Sequence, residues 1–414
     1  MLIKIKTKPK KFSQYKKIIH QPLYEEVLKL AKNLKGIRVA HLNATAGVGG
    51  VSEVIRSLAP LMNSVGLKTD WFILPSNNQF FTITKEFHNS LQGKKWKLSQ
   101  RNKKFYLDYL KKAAKGFPAD KYDVLVFHDP QTLALIDFLD VNKTIWRCHV
   151  DTQKPNRQVW NFLIQYIKKY DKVIFSLKEY SGHAVVRSKI RIVPPAIDAL
   201  SVKNKKYPGK KARRVILQCG LNIDRPIITQ ISRFDPWKDP IGVIKAYRLA
   251  KKSIAGLQMA YIGFNLTKDD PEAARIYKKT KKAAGNDKDI HLFFDQKDLG
   301  DLNIDQFIAA FQTGSDIILQ KSIVEGFGLT VTEGMWKGKP VIGGKVGGIK
   351  LQIKNGQNGF LVTNPEDCAK TIVRLFKNPK EAKRVSQSAK ESVRTNYLMP
   401  RLLRDYLKIM VEIL

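Results

Sequence analysis

Glu325 and Glu333 bracket the segment Gly-Phe-Gly-Leu-Thr-Val-Thr, a glycine-flanked turn followed by helix-forming residues. An apolar run, residues 316–320, precedes the pair, and Gly-Lys-Pro-Val-Ile at 338–342 follows it. This order predicts a buried strand, a loop with bare amides near Gly326 and Gly328, and a helix carrying Glu333 in an early turn. Amides at a helix start have no intrahelical partner and bind anions and hydroxyls. Two carboxylates around such a loop suit a ligand that is anionic in its middle and rich in hydroxyls at its ends, as a nucleotide sugar is.

Other segments could complete that chemistry. Ser-Arg-Phe-Asp-Pro-Trp-Lys-Asp at 232–239 follows a candidate strand and supplies Arg233 and Lys238. Two cations there could grip a diphosphate and offset the charge that grows as it leaves a sugar carbon; a surface ion pair with Asp235 or Asp239 is the plainer reading. Gly47-Val-Gly-Gly50 sits between a strand and a helix, where Gly49 and Gly50 would let a ligand oxygen approach the backbone. A tight turn without a ligand would look the same, and neither the dinucleotide fingerprint nor a Walker loop is present. His128, at a strand end in Phe-His-Asp-Pro, could donate to a hydroxyl or shuttle a proton, or simply be packed beside a capping Asp129. Arg147, His149 and Asp151 follow the next strand and could hold an acceptor's hydroxyls or form a buried ion network. Asp287 and Asp289 have the spacing of a metal-binding pair, but in a hydrophilic turn without further ligands they read as a solvated loop. No metal site is expected.

Short apolar runs separated by helix-period segments must position these groups. Candidate strands are residues 38–42, 71–74, 124–127, 144–148, 172–176 and 191–193, then 227–232, 259–263, 291–294, 317–320, 340–342 and 360–362. Continuous apolar runs mark strands covered on both faces, as in parallel sheets. Val51, Val54, Ile55, Leu58, Leu61, Met62 and Val65 recur at helical spacing, with Pro60 expected to bend that helix. The fold class is therefore α/β, with two doubly wound parallel-sheet, Rossmann-like domains facing a cleft where ligands of such folds bind. The first is assigned residues 1–200 and the second 213–396, with the Pro-, Lys- and Gly-rich stretch 194–214 as linker. The amphipathic segment 397–414 is expected to pack back on the first domain as a helix.

A length of 414 residues fits two such domains. Scattered Cys148, Cys219 and Cys368 argue for a reducing compartment without disulfides. With no signal core and no apolar stretch of the ~20 residues a span needs, the expected setting is cytoplasmic with no membrane span. The net charge of +38 could mark contact with nucleic acid or an anionic surface, because residues 94–115 hold nine Lys/Arg against one acid and residues 203–214 seven against none. Dispersed lysines with few interleaved aromatics favour solvated faces instead, and no specific nucleic acid is expected.

Together these segments resemble the retaining GT-B glycosyltransferases of family four. Their Glu-x7-Glu pair corresponds to Glu325 and Glu333, their diphosphate-gripping Arg and Lys to Arg233 and Lys238, their glycine loop to Gly49 and Gly50, and their active-site histidine to His128. The resemblance implies that Glu325 contacts hydroxyls of the transferred sugar, that Glu333 binds the ribose, and that amides of Phe327, Gly328 and Leu329 line the sugar pocket. Within that family, Leu-Asn-Ala-Thr-Ala at 42–46, Gly-Gly-Val-Ser-Glu at 49–53, His-Asp-Pro-Gln at 128–131 and Trp-Arg-Cys-His-Val-Asp at 146–151 are similar to the trehalose glycosyltransferring synthases. So are Pro-Pro-Ala-Ile-Asp at 194–198 and Leu-Gln-Lys-Ser at 319–322. Val324 departs from the Arg expected there. The implied substrates are UDP-, ADP- or GDP-glucose and glucose, with no cofactor; a role for Mg²⁺ and a homodimer are left open. Trehalose phosphorylases, usually much longer chains, and family members with lipid or polysaccharide acceptors are the alternatives. A polyanion-binding protein on the same fold is the reading from another class. With both glutamates assigned to hydroxyl binding, no carboxylate stands as nucleophile, and same-face transfer with the departing diphosphate helping to deprotonate the acceptor is the expected mechanism.

Overall fold

The structure, a computed structural model, describes residues 1–47, 49–182, 186–265 and 271–414. Val48 of the glycine loop lies outside the described residues. The chain divides into two compact units, Met1–Ala196 with Met399–Leu414, and Ile197–Leu398.

Unit 1 is built on a sheet of β1 (Ile3–Ile5), β2 (Arg38–Asn43), β3 (Lys68–Ile73), β4 (Val124–His128), β5 (Lys143–Arg147), β6 (Lys172–Phe175) and β7 (Ile190–Ile192). Their spatial order is β1-β3-β2-β4-β5-β6-β7, parallel except for β1, which pairs antiparallel with β3. The apolar runs of the sequence supply every parallel strand. β1 went unread because its alternation of isoleucine and lysine leaves one face to solvent, as suits an edge strand. The helix Gly50–Ser64 runs unbroken through Pro60 and buries Val54, Ile55, Leu58 and Leu61. The helix Gln100–Ala114 buries Tyr106, Leu110 and Ala113, so its lysines decorate the remaining faces.

The last helix, Met399–Ile413, belongs to unit 1 and packs against the helices Gln21–Asn33 and Gly50–Ser64. Leu402, Leu403, Tyr406, Leu407 and Met410 are all buried, the stripe expected of an amphipathic helix seated on a core. The Arg401 guanidinium fastens its start, donating to the carbonyls of Pro194 and Pro195 at 2.8 and 2.9 Å and pairing with Asp405.

Unit 2 carries a wholly parallel sheet of β8 (Ile227–Ile231), β9 (Gln258–Ile262), β10 (Ile290–Phe293), β11 (Ile317–Gln320), β12 (Val341–Gly344) and β13 (Phe360–Val362), in the order β10-β9-β8-β11-β12-β13. β8, β9, β11 and β12 are buried along their whole length, as continuous apolar runs require.

The stretch read as a linker is partly regular: Gly209–Gln218 is a helix whose Ala212, Val215 and Ile216 are buried against the helix Ile304–Gly314. Its basic residues masked an apolar stripe at helical spacing. Asp287 and Asp289 are not a bare solvated pair either, since both carboxylates meet the Lys251 ammonium at 2.9 Å and Asp289 also meets Arg225. No helix among the described residues is long and apolar enough to cross a membrane.

Candidate active site

In both sheets the candidate residues cluster where the strand order reverses. β2 has β3 on one side and β4 on the other, and β8 likewise lies between β9 and β11. Chain connections leave such a strand in opposite directions, which opens a crevice at the carboxyl ends.

In unit 2 the crevice strands are β8 and β11. After β8 the chain forms a short turn, Pro236–Lys238, capped by Asp235, whose carboxylate accepts from the Trp237 amide. Gln230 of β8 anchors this turn, donating to the Lys238 carbonyl at 2.8 Å while accepting from the Lys321 amide at 3.0 Å. The Trp237 carbonyl takes the Ile323 amide at 2.8 Å and the Val324 amide at 3.4 Å, so the backbone of Val324 serves to join the two loops.

That joining brings Lys238 to Glu325, with 2.6 Å between Nζ and Oε2. The same Oε2 accepts from the Ser322 hydroxyl at 3.2 Å and the Gln320 amide at 3.3 Å. Three donors on one oxygen fix the carboxylate firmly and blunt it as a nucleophile. Arg233, in contrast, is more than half exposed and among the described residues its side chain pairs with Asp235 alone, at 3.2 Å. Its nearest tie is thus the surface pair that the sequence allowed, while Asp239 is engaged elsewhere, by the Lys321 ammonium.

Gly328 opens the helix Leu329–Trp336 in the left-handed region, φ +84°, where a side chain would be strained and a Cβ would stand 3.1 Å from the Glu325 Cγ. The carbonyls of Phe327 and Gly328 are held by the Gln352 side-chain amide at 2.6 and 3.3 Å. The first amides of the helix, beginning at Leu329, therefore open beside the Glu325 carboxylate. Glu333 lies on this helix but is buried. Lys203 Nζ stands 2.6 Å from its Oε1, and the Gln312 amide donates to Oε2 at 2.8 Å. Lys203 and Gln312 were missed in the sequence; Lys203 was hidden in the basic stretch.

In unit 1 the switch-point strands are β2 and β4. Gly49 caps the helix Gly50–Ser64 in an extended conformation, φ 164°, and a Cβ there would meet no atom within 4 Å. Neither backbone angle nor packing calls for glycine at 49, which leaves clear space at the helix start.

His128, the last residue of β4, is fully buried, with His41 of β2 on one side and His149 on the other. His41 Nδ1 lies 3.0 Å from His128 Nε2, and His128 Nδ1 lies 3.1 Å from His149 Nε2. Both ring nitrogens of His128 are thereby engaged, so its ring has no donor left for a ligand hydroxyl. Burial pushes His41 down to about 3, and burial with the neighbouring rings and Arg147 holds His128 well below the usual imidazole value. His149 is lowered as well, by burial and then Arg147.

Asp129 turns the chain out of β4 with a positive φ of 61°, strained for a residue with a side chain. Its Oδ1 accepts the His149 amide at 2.7 Å, and burial raises its carboxyl to about 7. Arg147 is buried beneath, with Nε and Nη1 lacking hydrogen-bond partners among the described residues and the Tyr406 ring and Arg401 nearby; burial lowers it. Its charge acts on the neighbouring rings of His128 and His149. Asp151 caps a turn by accepting the Gln153 amide at 3.0 Å. The structure thus gathers His128, His149 and Arg147 with Asp129 and His41; His41 had no signal beyond its place in a buried strand.

Residues 41–182 match the family described as trehalose synthase, N-terminal domain, and residues 218–392 match glycosyl transferases group 1. The chain is similar to a trehalose synthase of Rubrobacter xylanophilus, 39% identical over 420 residues and covering 100% of both chains. It is 40% identical over 403 residues to a trehalose synthase of Pyrococcus horikoshii, covering 97% of this chain and 96% of that one. Among solved structures it is similar to an α,α-trehalose-phosphate synthase from Burkholderia xenovorans, with a TM-score of 0.71 at 13% identity, covering 91% of this chain and 100% of that one.

Proposed function

The chain belongs to the trehalose synthase family, glycosyltransferases with the GT-B fold, and on that footing we propose that it moves glucose from a nucleoside-diphosphate glucose to free glucose, forming α,α-trehalose with retention at the transferred carbon. The observation that carries this reading is the Lys238–Glu325 pair at the unit 2 switch point, flanked by the opening amides of the Leu329–Trp336 helix. A cation and a fixed carboxylate side by side suit a diphosphate joined to a hydroxyl-rich sugar.

In this reading Arg233 and Lys238 bind the diphosphate and stabilise the charge it gains as the glycosidic bond breaks. Glu325 orients sugar hydroxyls, Glu333 takes the ribose, and the amides of Phe327, Gly328 and Leu329 line the sugar site. Gly49 and Gly50 leave room for the donor. The crowding of Glu325 Oε2 by three donors supports a hydroxyl-orienting role over a nucleophilic one. Transfer then proceeds on one face, with the acceptor proton passing to the leaving diphosphate.

The test is to incubate the protein with glucose and each of UDP-, ADP- and GDP-glucose, with and without a chelator, and to read products by NMR. α,α-Trehalose with one equivalent of nucleoside diphosphate supports the proposal. Trehalose formed only from glucose 1-phosphate, with phosphate released, overturns it in favour of a phosphorylase.

A further inference from the structure

His41, His128 and His149 form an unbranched chain of rings across the carboxyl ends of β2, β4 and β5. We propose that His149, and not His128, is the imidazole that meets the acceptor sugar, and that buried His41 fixes it as a hydrogen-bond donor through Nδ1. The proposal rests on the glucose-acceptor reading above.

Each neutral imidazole carries one N–H, so the two contacts admit only two proton arrangements. In the first, His41 Nδ1–H donates to His128 Nε2, and His128 Nδ1–H donates to His149 Nε2. The His149 proton then sits on the outward Nδ1. In the second, every bond reverses: the spare N–H falls on His41 Nε2, and His149 Nδ1 is a bare lone pair.

The blind end of the chain decides between them. His41 Nε2 is buried and has no hydrogen-bond partner among the described residues. An orphaned N–H inside a protein is rarer and costlier than an unmet lone pair, so the first arrangement prevails. His41 and His128 are fully buried, whereas His149 keeps partial exposure. The Asp129 carboxylate holds the His149 backbone amide, and with it the position of the ring.

The chain passes polarity and not charge. In the first arrangement His149 Nδ1 already carries a proton and Nε2 accepts from His128, so the ring has no free lone pair with which to take another. His149 therefore donates to an acceptor oxygen without removing its proton, which leaves deprotonation to the diphosphate. His41 and His128 are positioning residues acting through His149.

The experiment uses the full chain with ¹⁵N-labelled histidine and long-range ¹H–¹⁵N correlation spectra. The expected result is a His149 protonated on Nδ1. In His41→Leu that single tautomer gives way to a mixture; His41→Asn, whose amide can donate from the place of Nδ1, restores it. With nucleotide sugar saturating, His149→Leu lowers kcat/KM for glucose by at least about tenfold, the scale of one lost hydrogen bond, with the donor KM unchanged. His41→Leu shows the same signature and His41→Asn recovers it. A His149 proton on Nε2, or a tautomer unmoved in His41→Leu, overturns the proposal, as does an unchanged glucose kcat/KM in His149→Leu. If His41→Leu does not fold, the wild-type spectrum and the half-buried His149 variant still decide. If no sugar is transferred, the functional reading fails alone, because the spectra report the ring chain without turnover.

Discussion

Lys203 and Glu333 form a buried ion pair, 2.6 Å between Nζ and Oε1, with the side chains 11% and 3% exposed. The lysine lies on the segment that leads into unit 2 and the glutamate on the helix that follows the carboxylate loop. The pair therefore fastens the start of the unit to its candidate donor site.

Lys203→Met should destabilise unit 2 by roughly 3–5 kcal/mol, because an uncompensated carboxylate is left buried. Adding Glu333→Gln should recover much of that loss, since no stranded charge then remains. Denaturant unfolding of the two variants checks both outcomes. Equal destabilisation of the single and double variants would show that the pair is energetically idle.

Arg233→Ala should separate stability from catalysis. The side chain is 58% exposed and its pair with Asp235 is a surface one, so stability should move by less than about 1 kcal/mol. Turnover should fall by ~10²–10³ if the guanidinium stabilises the leaving diphosphate. Near-normal kcat would remove Arg233 from the mechanism.

The ring chain makes stability fall on mild acidification. His41, His128 and His149 are all depressed in the folded protein, His41 to about 3, while in the unfolded chain they protonate near the ordinary imidazole value of 6.5. Below that pH the unfolded state binds more protons, each costing roughly 1.4 kcal/mol per pH unit. Asp129, raised to about 7, has the opposite sign, since the native state gains its proton first as pH falls from 7. Three rings outweigh one carboxyl, so the melting temperature should drop from pH 6.5 to pH 5. His41→Asn should flatten that slope by about one proton.

Tyr406→Ala should loosen unit 1. The ring is fully buried against His41, centroids 5.9 Å apart, and its removal leaves a cavity beneath the ring chain. A loss of about 3–5 kcal/mol is expected for an aromatic of that size. Melting curves measure it, and a change under 1 kcal/mol would mean the C-terminal helix is only loosely seated.

Much of this was legible because parallel strands buried on both faces are written as continuous apolar runs, as Ile227–Ile231 and Ile317–Gln320 are. Glu325 and Lys238 stood out because each lies in the loop that follows such a run. The histidine chain did not, since its members come from two strands and the segment after a third, and only the order β2-β4-β5 makes them neighbours. Periodicity reports which face a residue takes, not which strand lies beside it. Lys203 was hidden for another reason: in a stretch so rich in lysine, nothing local distinguishes the one ammonium that is buried against a carboxylate. The edge strand Ile3–Ile5 was lost because three residues are too few to declare a period.

The assignment of Met399–Leu414 to the unit that begins at Met1 sets an order of assembly during synthesis. Ordinarily the part of a chain that is translated first matures first. Here the leading half lacks its closing helix, with Tyr406 behind His41 and Arg401 on the Pro194 and Pro195 carbonyls, until the codons of 399–414 are read. All of the intervening unit, Ile197–Leu398, has by then been made. The nascent amino-terminal half must therefore wait, incompletely covered, until residues 399–414 have been made.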